Sequence, residues 1–379
     1  MYQYQKTHRF FAQVADDIKA LAEAEIQALG AADTAQVYRG IHFAADPKTL
    51  YAVNFHSRLI NRVLAPLVTF DCHSDRYLHK TAAAIRWEDF LAPSGTFAVF
   101  AAVSNSAIRH SKFAALRVKD AVADYFSGRI GKRPSVDTKH PDIWINLYIN
   151  ANRATISVDT SGGSLHRRGY RRASVPAPMV ETLAAAIVQH TEWDGRVPLY
   201  DPFCGSGTLL CEAYMFARRM PAAILRRTFG FERFPDFDPS LWKRVREEGI
   251  RRMTSVPAGL IAGSDVSSEA VAAARTNCAA IDTGNAVALR ITDVFDMADI
   301  RGKLIVCNPP YGVRLRSDTD LSGFYKRFGD FLKQRCTGST AYIYFGDRTY
   351  IKRLGLKPAW KKALSTGGLD GRLVKYDLY

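Results

Sequence analysis

The sequence predicts an α/β chain in which a Rossmann-like, mostly parallel, doubly wound sheet with a C-terminal antiparallel hairpin follows a smaller α+β region. Three observations carry this. After residue 178, apolar strands alternate regularly with amphipathic helices; a Gly/Ser/Pro-rich, basic stretch at 160–178 separates them from what precedes; and the earlier segments are shorter and less regular. At 379 residues and 47% hydrophobic, the chain has apolar material for two or three domains and none of the compositional marks of disorder.

Taken in order, Arg9 to Val14 is an apolar strand, Asp16 and Asp17 open a helix that runs to Leu29 and is closed by Gly30, and Tyr38 to Phe43 forms a second strand before a helical stretch up to residue 70. Strands around Phe97–Val103, Ile143–Ile149 and Ala154–Val158 and a helix over Ala114–Phe126 continue the α+β pattern. Beyond the basic stretch, a helix over Met179–His190 precedes the alternating series. In that series strand Pro198–Tyr200 leads to helix Thr208–Arg219, Leu260–Gly263 to Ser267–Ala280, Ala286–Ile291 to a short turn, Lys303–Cys307 to Phe324–Cys336, and Ser339–Phe345 to Arg348–Leu354. The tail reads as two strands around Gly367-Gly368, a hairpin closing the sheet edge.

The net charge of +15 and pI near 9.6 attract polyanions, so nucleic acid leads the expected partners. Both sides of residue 160 contribute, +4 before it and +11 after it. Six cysteines (Cys72, Cys204, Cys211, Cys278, Cys307 and Cys336) form no C-x-x-C pair, which argues against a zinc ribbon or a redox dithiol and for reduced, mostly buried thiols; no metal is expected. No secretory apolar stretch begins the chain and no run of 18 apolar residues follows, so a cytoplasmic location without membrane contact is expected.

The segment Asp201-Pro-Phe-Cys-Gly-Ser-Gly207 runs from a strand through a glycine turn into a helix, which is where an open α/β sheet binds ligands. It satisfies neither the phosphate-loop pattern nor G-x-G-x-x-G. Gly205 and Gly207 let a ligand lie against the backbone, their amides expected to face it, and Asp201 suits a cationic group such as the amino acid moiety of S-adenosylmethionine. The next strand ends at Asp265-Val266, placed for both hydroxyls of a ribose, and the third at Asp293-Val294, suited to an adenine amino group. Asp201, Pro202, Phe203, Cys204, Gly205, Ser206, Gly207, Asp265, Val266, Asp293, Val294 and Asn308 are the expected cofactor contacts.

After the fourth strand comes Asn308-Pro309-Pro310-Tyr311, the expected catalytic motif. Two prolines fix the backbone so that the Pro309 carbonyl turns inward as an acceptor beside the Asn308 side-chain carbonyl. Together they hold both N–H groups of a planar amine and aim its lone pair at a methyl donor. Tyr311 is placed to stack on a flipped-out base.

With these motifs in hand, the chain resembles THUMP-domain RNA methyltransferases, in particular the RlmL-type large-subunit ribosomal RNA guanine-N2-methyltransferases and their stand-alone relatives. The resemblance rests on the two motifs, on Ser111–Val122, on Asp159–Arg171, Pro178–Ala185 and Phe234–Pro239, on Asn308–Leu315 and on Tyr325–Lys333. It implies a ferredoxin-like segment at 1–70, a THUMP RNA-binding domain at 71–160, a basic linker at 161–178 and a seven-stranded class I methyltransferase domain at 179–379. It also implies S-adenosylmethionine as donor, S-adenosylhomocysteine as product and N2-methylguanine in structured RNA, ribosomal before transfer RNA, as the outcome. Val313 stands where the family often has an acidic residue. Lys112, Arg117, Lys119, Arg167, Arg168, Arg171 and Arg172 are the expected RNA contacts. A methyltransferase acting on DNA adenine or a glutamine side chain, and an RNA-binding assembly factor with an idle site, are the alternatives.

Overall fold

The computed structural model describes residues 1–282, 286–311, 320–365 and 370–379. The Asn308–Leu315 run beyond Tyr311, including Val313, and the Gly367-Gly368 turn lie outside the described residues. The chain divides into two compact units. The first holds Met1–Leu165 together with Arg226–Glu248, and the second holds His166–Leu225 with Gly249–Tyr379.

The first unit is built on one eight-stranded sheet. Its strands are β1 (Arg9–Gln13), β2 (Ala32–Val37), β3 (Gly40–Ala44), β4 (Arg62–Asp71), β5 (Thr96–Ser104), β6 (Ser135–Val136), β7 (Ile143–Asn150) and β8 (Arg153–Asp159), in the spatial order β2-β3-β1-β4-β8-β7-β5-β6. Three of these strands were not expected from the sequence: β2, β4 and the two-residue β6. β2 is polar and largely exposed along its length, which erases the apolar alternation that marks a strand, and Tyr38 sits in the turn after it. β4 lies where a helical stretch was expected to continue, because the helix Pro47–His56, capped by Asp46, occupies only part of that stretch. β4 also carries Pro66, which cannot donate to a ladder; its pairing with β8 shifts register between Pro66 and Val68. Fully buried Phe97, Ile145, Leu147, Ile156 and Val158 on the sheet, with Val118, Val122 and Phe126 on the helix Ser111–Ile130, form its core.

The returning segment Arg226–Glu248 belongs to this unit through its aromatics. Phe231 stacks on Tyr51 at 4.5 Å and Trp242 meets Phe55 at 5.3 Å, while the Phe231 amide donates to the Thr160 carbonyl at 2.8 Å. The stretch that looked like a linker by composition is packed at its start. Thr160 and Ser161 are buried and bond Asn54, and buried Asp159 accepts from the amides of Ser161 and Gly163.

The second unit is a seven-stranded sheet made of β9 (Leu199–Asp201), β10 (Ile261–Asp265), β11 (Val287–Ile291), β12 (Leu304–Cys307), β13 (Thr340–Phe345), β14 (Trp360–Ala363) and β15 (Arg372–Asp377). The order is β11-β10-β9-β12-β13-β15-β14, with the first five parallel and β15 antiparallel to both of its neighbours. The expected doubly wound sheet with an antiparallel hairpin at one edge is therefore the observed one. The predicted helix over Arg348–Leu354 is shorter, a 3-10 turn at Arg348–Ile351. What positions the site is the strand order. β9 is the first strand of this sheet along the chain, and the next strand, β10, lies on one side of it while β12 lies on the other. Loops leaving the carboxyl ends of β9 and β12 therefore diverge and open a crevice, the topological switch point of an α/β sheet.

Candidate active site

A cavity of about 580 Å³ fills that crevice within the second unit. Its volume falls in the ordinary range for small-molecule sites. Asp201, Pro202, Phe203, Cys204, Gly205 and Ser206 from the β9 loop, Asp265 and Val266 after β10, Asp293 and Val294 after β11, and Asn308 and Pro310 after β12 all line it. The two motifs, more than 100 residues apart in the chain, thus share one space.

The loop after β9 is set by local bonds. Asp201 Oδ1 accepts from the Phe203 amide at 3.0 Å, the Cys204 amide donates to the Ser264 carbonyl at 2.9 Å, and the Gly207 amide donates to the Cys204 carbonyl at 2.8 Å. Asp265 Oδ2 accepts from the Gly205 amide at 2.9 Å and its Oδ1 from the Ser267 amide at 3.0 Å. The glycine amides expected to face a ligand are therefore already engaged. The loop offers bare backbone surface instead. Gly205 has φ +52°, and a Cβ there meets nothing within 4 Å. Gly207 does a different job: outside the cavity wall at φ +79°, it starts the helix Thr208–Ala217, and a Cβ would come within 3.1 Å of Ala274.

Residues just before this domain brace the same loop. Arg171 donates to Glu181 at 2.8 Å, to Thr208 Oγ1 at 3.1 Å, to Ser206 Oγ at 3.3 Å and to the Met179 carbonyl at 2.8 Å. Asn277 joins the Ser206 carbonyl to the backbone of Arg172 and Ala173. Arg168 is buried and paired with buried Glu212 at 3.4 Å, where Tyr170 Oη also donates. Two of the expected RNA contacts are corrected on this ground. Arg168 has no access to solvent, and Arg171 spends its donors on the cofactor loop, because basic residues beside buried carboxylates pair internally. In the first unit, Arg117 pairs with Asp75 and Lys119 with Asp120, while Lys112, and Arg167 and Arg172 in the second unit, are exposed.

The electrostatics divide the cavity. Asp201 is 1% exposed, and burial, reinforced by the nearby Asp265 charge, holds its carboxyl well above the usual carboxylate range, opposed only by the Phe203 amide. A cationic group beside it would repay that cost. Val266 is apolar and 69% exposed although it lines the wall, so its face lacks the cover that a flat apolar ligand would supply. Asp293 Oδ1 accepts from the Phe295 amide at 3.0 Å and holds the turn after β11.

On the acceptor side, Asn308 is 8% exposed and its Oδ1 is buried without a hydrogen-bond partner. A buried acceptor left without a partner, on a residue that lines the cavity, is a group short of a donor. Tyr325 Oη donates to the Pro310 carbonyl at 3.1 Å, and its ring stacks on Tyr350 at 4.7 Å, which fixes the motif from behind. Pro309 and Tyr311 are not on the cavity wall. The Tyr311 ring lies against Gly346, where any Cβ would fall 2.2 Å from it. The wall also includes residues not singled out from sequence, among them Val175 to Met179, Phe295, Phe324 and Arg327. Arg327 falls within the Tyr325–Lys333 run that carried the resemblance, the one signal that pointed toward it.

An acidic site for a cation, a carboxylate at the second strand tip, an uncovered apolar face and a residue with an orphaned acceptor, all lining one cavity, fit S-adenosylmethionine and an amine. Among the described residues, no group of three His, Cys, Asp or Glu side chains stands ready for a metal, all six cysteines are buried and unbridged, and no helix is long and apolar enough to cross a membrane. Fold and cavity define a Rossmann-like methyltransferase.

Comparison with known proteins places the chain more closely. Residues 168–375 match the RMKL-like methyltransferase domain, 74–159 the THUMP domain and 9–64 the RlmL ferredoxin-like domain. The chain belongs to the RMKL-like methyltransferase family. It is 37% identical over 377 residues to a putative RNA methyltransferase of Synechocystis, covering 98% of this chain and 97% of that one. It is 35% identical over 384 residues to the ribosomal RNA large subunit methyltransferase K/L of Syntrophotalea carbinolica, but spans only 53% of that protein. Among solved structures, a putative methyltransferase complexed with S-adenosylhomocysteine matches at TM-score 0.85 and 26% identity over 98% of both chains. A Listeria monocytogenes protein described as a predicted N6-adenine-specific DNA methylase matches at TM-score 0.84 and 26% identity, over 98% of this chain and 96% of that one.

Proposed function

We propose that this chain transfers a methyl group from S-adenosylmethionine to the exocyclic N2 amino group of a guanine in RNA, in the cytoplasm, with large-subunit ribosomal RNA as the substrate. The observation that carries the reading is that Asn308, whose Oδ1 is buried and partnerless, lines the same cavity as the bare backbone of Gly205 and as Asp265. The THUMP match and the names of the relatives support RNA as substrate.

In this reading Asp201 faces the ammonium of the donor, Asp265 the ribose hydroxyls, Val266 and Val294 the adenine faces and Asp293 its amino group. The donor supplies an electrophilic methyl on a sulfonium. Asn308 Oδ1 accepts one N–H of the guanine amine, which keeps its lone pair on the line to that methyl. The amine nitrogen forms the new N–C bond as the C–S bond breaks onto sulfur, and the nitrogen then loses one proton to water. Tyr325, through the Pro310 carbonyl, holds the turn that carries Asn308.

The test is methyl transfer by the purified chain to protein-free 23S RNA, purified transfer RNA and duplex DNA, using radiolabelled S-adenosylmethionine. Label in 23S RNA well above that in the other two is expected. Label confined to DNA would overturn the reading in favour of the adenine chemistry that the Listeria protein's description suggests, and label in transfer RNA alone would move the substrate.

A further inference from the structure

The charged side chains on the cavity wall are Asp201, Asp265, Glu269 and Asp293, together with a single cation among the described residues, Arg327. Four carboxylates suit a donor that carries a sulfonium and an ammonium. They are a poor environment for the other reactant, since every nucleotide enters with a phosphate on either side of its base. Arg327 is placed to offset this. It lies on the helix Leu321–Arg335, on the wall shared with Asn308 and Pro310, and its guanidinium sits 4.1 Å from the centroid of the Phe295 ring. Phe295 is held in turn by Phe324, at 5.7 Å with the rings at 75°. The residue is exposed, and the Phe295 ring is an aromatic seat that orients its guanidinium, a group suited to a phosphate.

We infer that Arg327 contacts a backbone phosphate of the target nucleotide and so sets where the flipped base stops in front of Asn308. The inference rests on the methyl-transfer reading of the same cavity and adds a substrate contact that neither motif contains. A cation at this point does two things. It cancels part of the repulsion from the acidic wall, and it fixes the nucleotide one phosphate away from the reacting amine.

The test compares the wild type with Arg327→Gln and Arg327→Lys. An exposed side chain leaves the fold intact when replaced, and matched melting curves verify this. RNA affinity is measured by anisotropy of labelled 23S RNA fragments across 50 to 200 mM salt, KM and kcat by label transfer, and cofactor affinity by calorimetry with S-adenosylhomocysteine. For Arg327→Gln the expected result is a KM for RNA raised about tenfold and a salt slope shallower by about one phosphate contact. S-adenosylhomocysteine affinity should stay within about twofold, and Arg327→Lys should restore most of the slope but less of the KM. An unchanged slope and KM overturn the inference. So does a loss confined to S-adenosylhomocysteine binding, which would assign Arg327 to the cofactor half. Methyl transfer failing in every variant while the slope still falls would sink the proposed reaction and leave the phosphate contact standing.

Discussion

Replacing Asn308 by alanine separates function from stability in this fold. In the free protein Asn308 Oδ1 is buried with no partner, so the chain bears the desolvation of a polar group, about 1–3 kcal/mol, with nothing to repay it. Truncation to alanine removes that penalty and some packing contacts at once. The two effects oppose each other, and the melting temperature of Asn308→Ala should lie within about 2–4 °C of the wild type, the shift that about 1 kcal/mol produces in a unit of this size. The reaction responds differently. Removing one preorganised polar group aimed at the reacting centre costs about 2.7–4 kcal/mol, or 10²–10³ in kcat. Scanning calorimetry and single-turnover label transfer read the two quantities, and RNA affinity by anisotropy should stay nearly unchanged. A kcat within threefold of the wild type would refute the role of Asn308 as acceptor. A melting temperature lower by 10 °C would show that the side chain is a structural strut rather than an idle acceptor.

Three further perturbations follow from the same geometry. Asp201 has its folded pKa raised, so between the ordinary carboxylate range and that higher value the folded state holds more protons than the unfolded one, and its stability falls as pH rises through the interval. Asp201→Asn escapes this, and its melting temperature should exceed the wild type's by more at pH 8 than at pH 5, while calorimetry shows weaker S-adenosylmethionine binding; an equal gap at both pH values would contradict the burial argument. Gly205→Ala places a Cβ toward the cavity at φ +52° and should weaken S-adenosylmethionine binding about tenfold for a stability loss of about 1–2 kcal/mol; unchanged affinity would remove the loop from the cofactor site. Arg168→Ala strands buried Glu212 and should cost about 3–5 kcal/mol of stability with no change in the RNA affinity of the folded fraction; a selective loss of RNA binding would restore Arg168 to the RNA surface.

The catalytic half was the more legible in the sequence because its signals are local. An apolar strand followed by Asp201-Pro-Phe-Cys-Gly-Ser-Gly207, and another followed by Asn308-Pro-Pro-Tyr311, fix a strand tip and a turn without help from the rest of the chain. The parallel order then brings the tips together. The first unit was harder because β2 is polar and β4 carries a proline, and tertiary pairing overrides both signals. The return of Arg226–Glu248 to that unit left no compositional trace, since its aromatics look the same whichever core receives them. Charge misled for a related reason. Arg167, Arg168, Arg171 and Arg172 form one basic cluster in sequence, yet which of them meets solvent is decided by Glu212 and Glu181, which come later in the chain. The packing of the Tyr311 ring against Gly346 has no local signal either, because its partner lies 35 positions downstream.

The account stands on an amine held by Asn308 opposite a methyl donor at the β9 loop. Incubating the chain with protein-free 23S RNA and methyl-labelled S-adenosylmethionine, digesting to nucleosides and resolving them by mass reads that chemistry directly. The label should appear in N2-methylguanosine. Label on a ring carbon, a ribose oxygen or a pyrimidine would contradict the account.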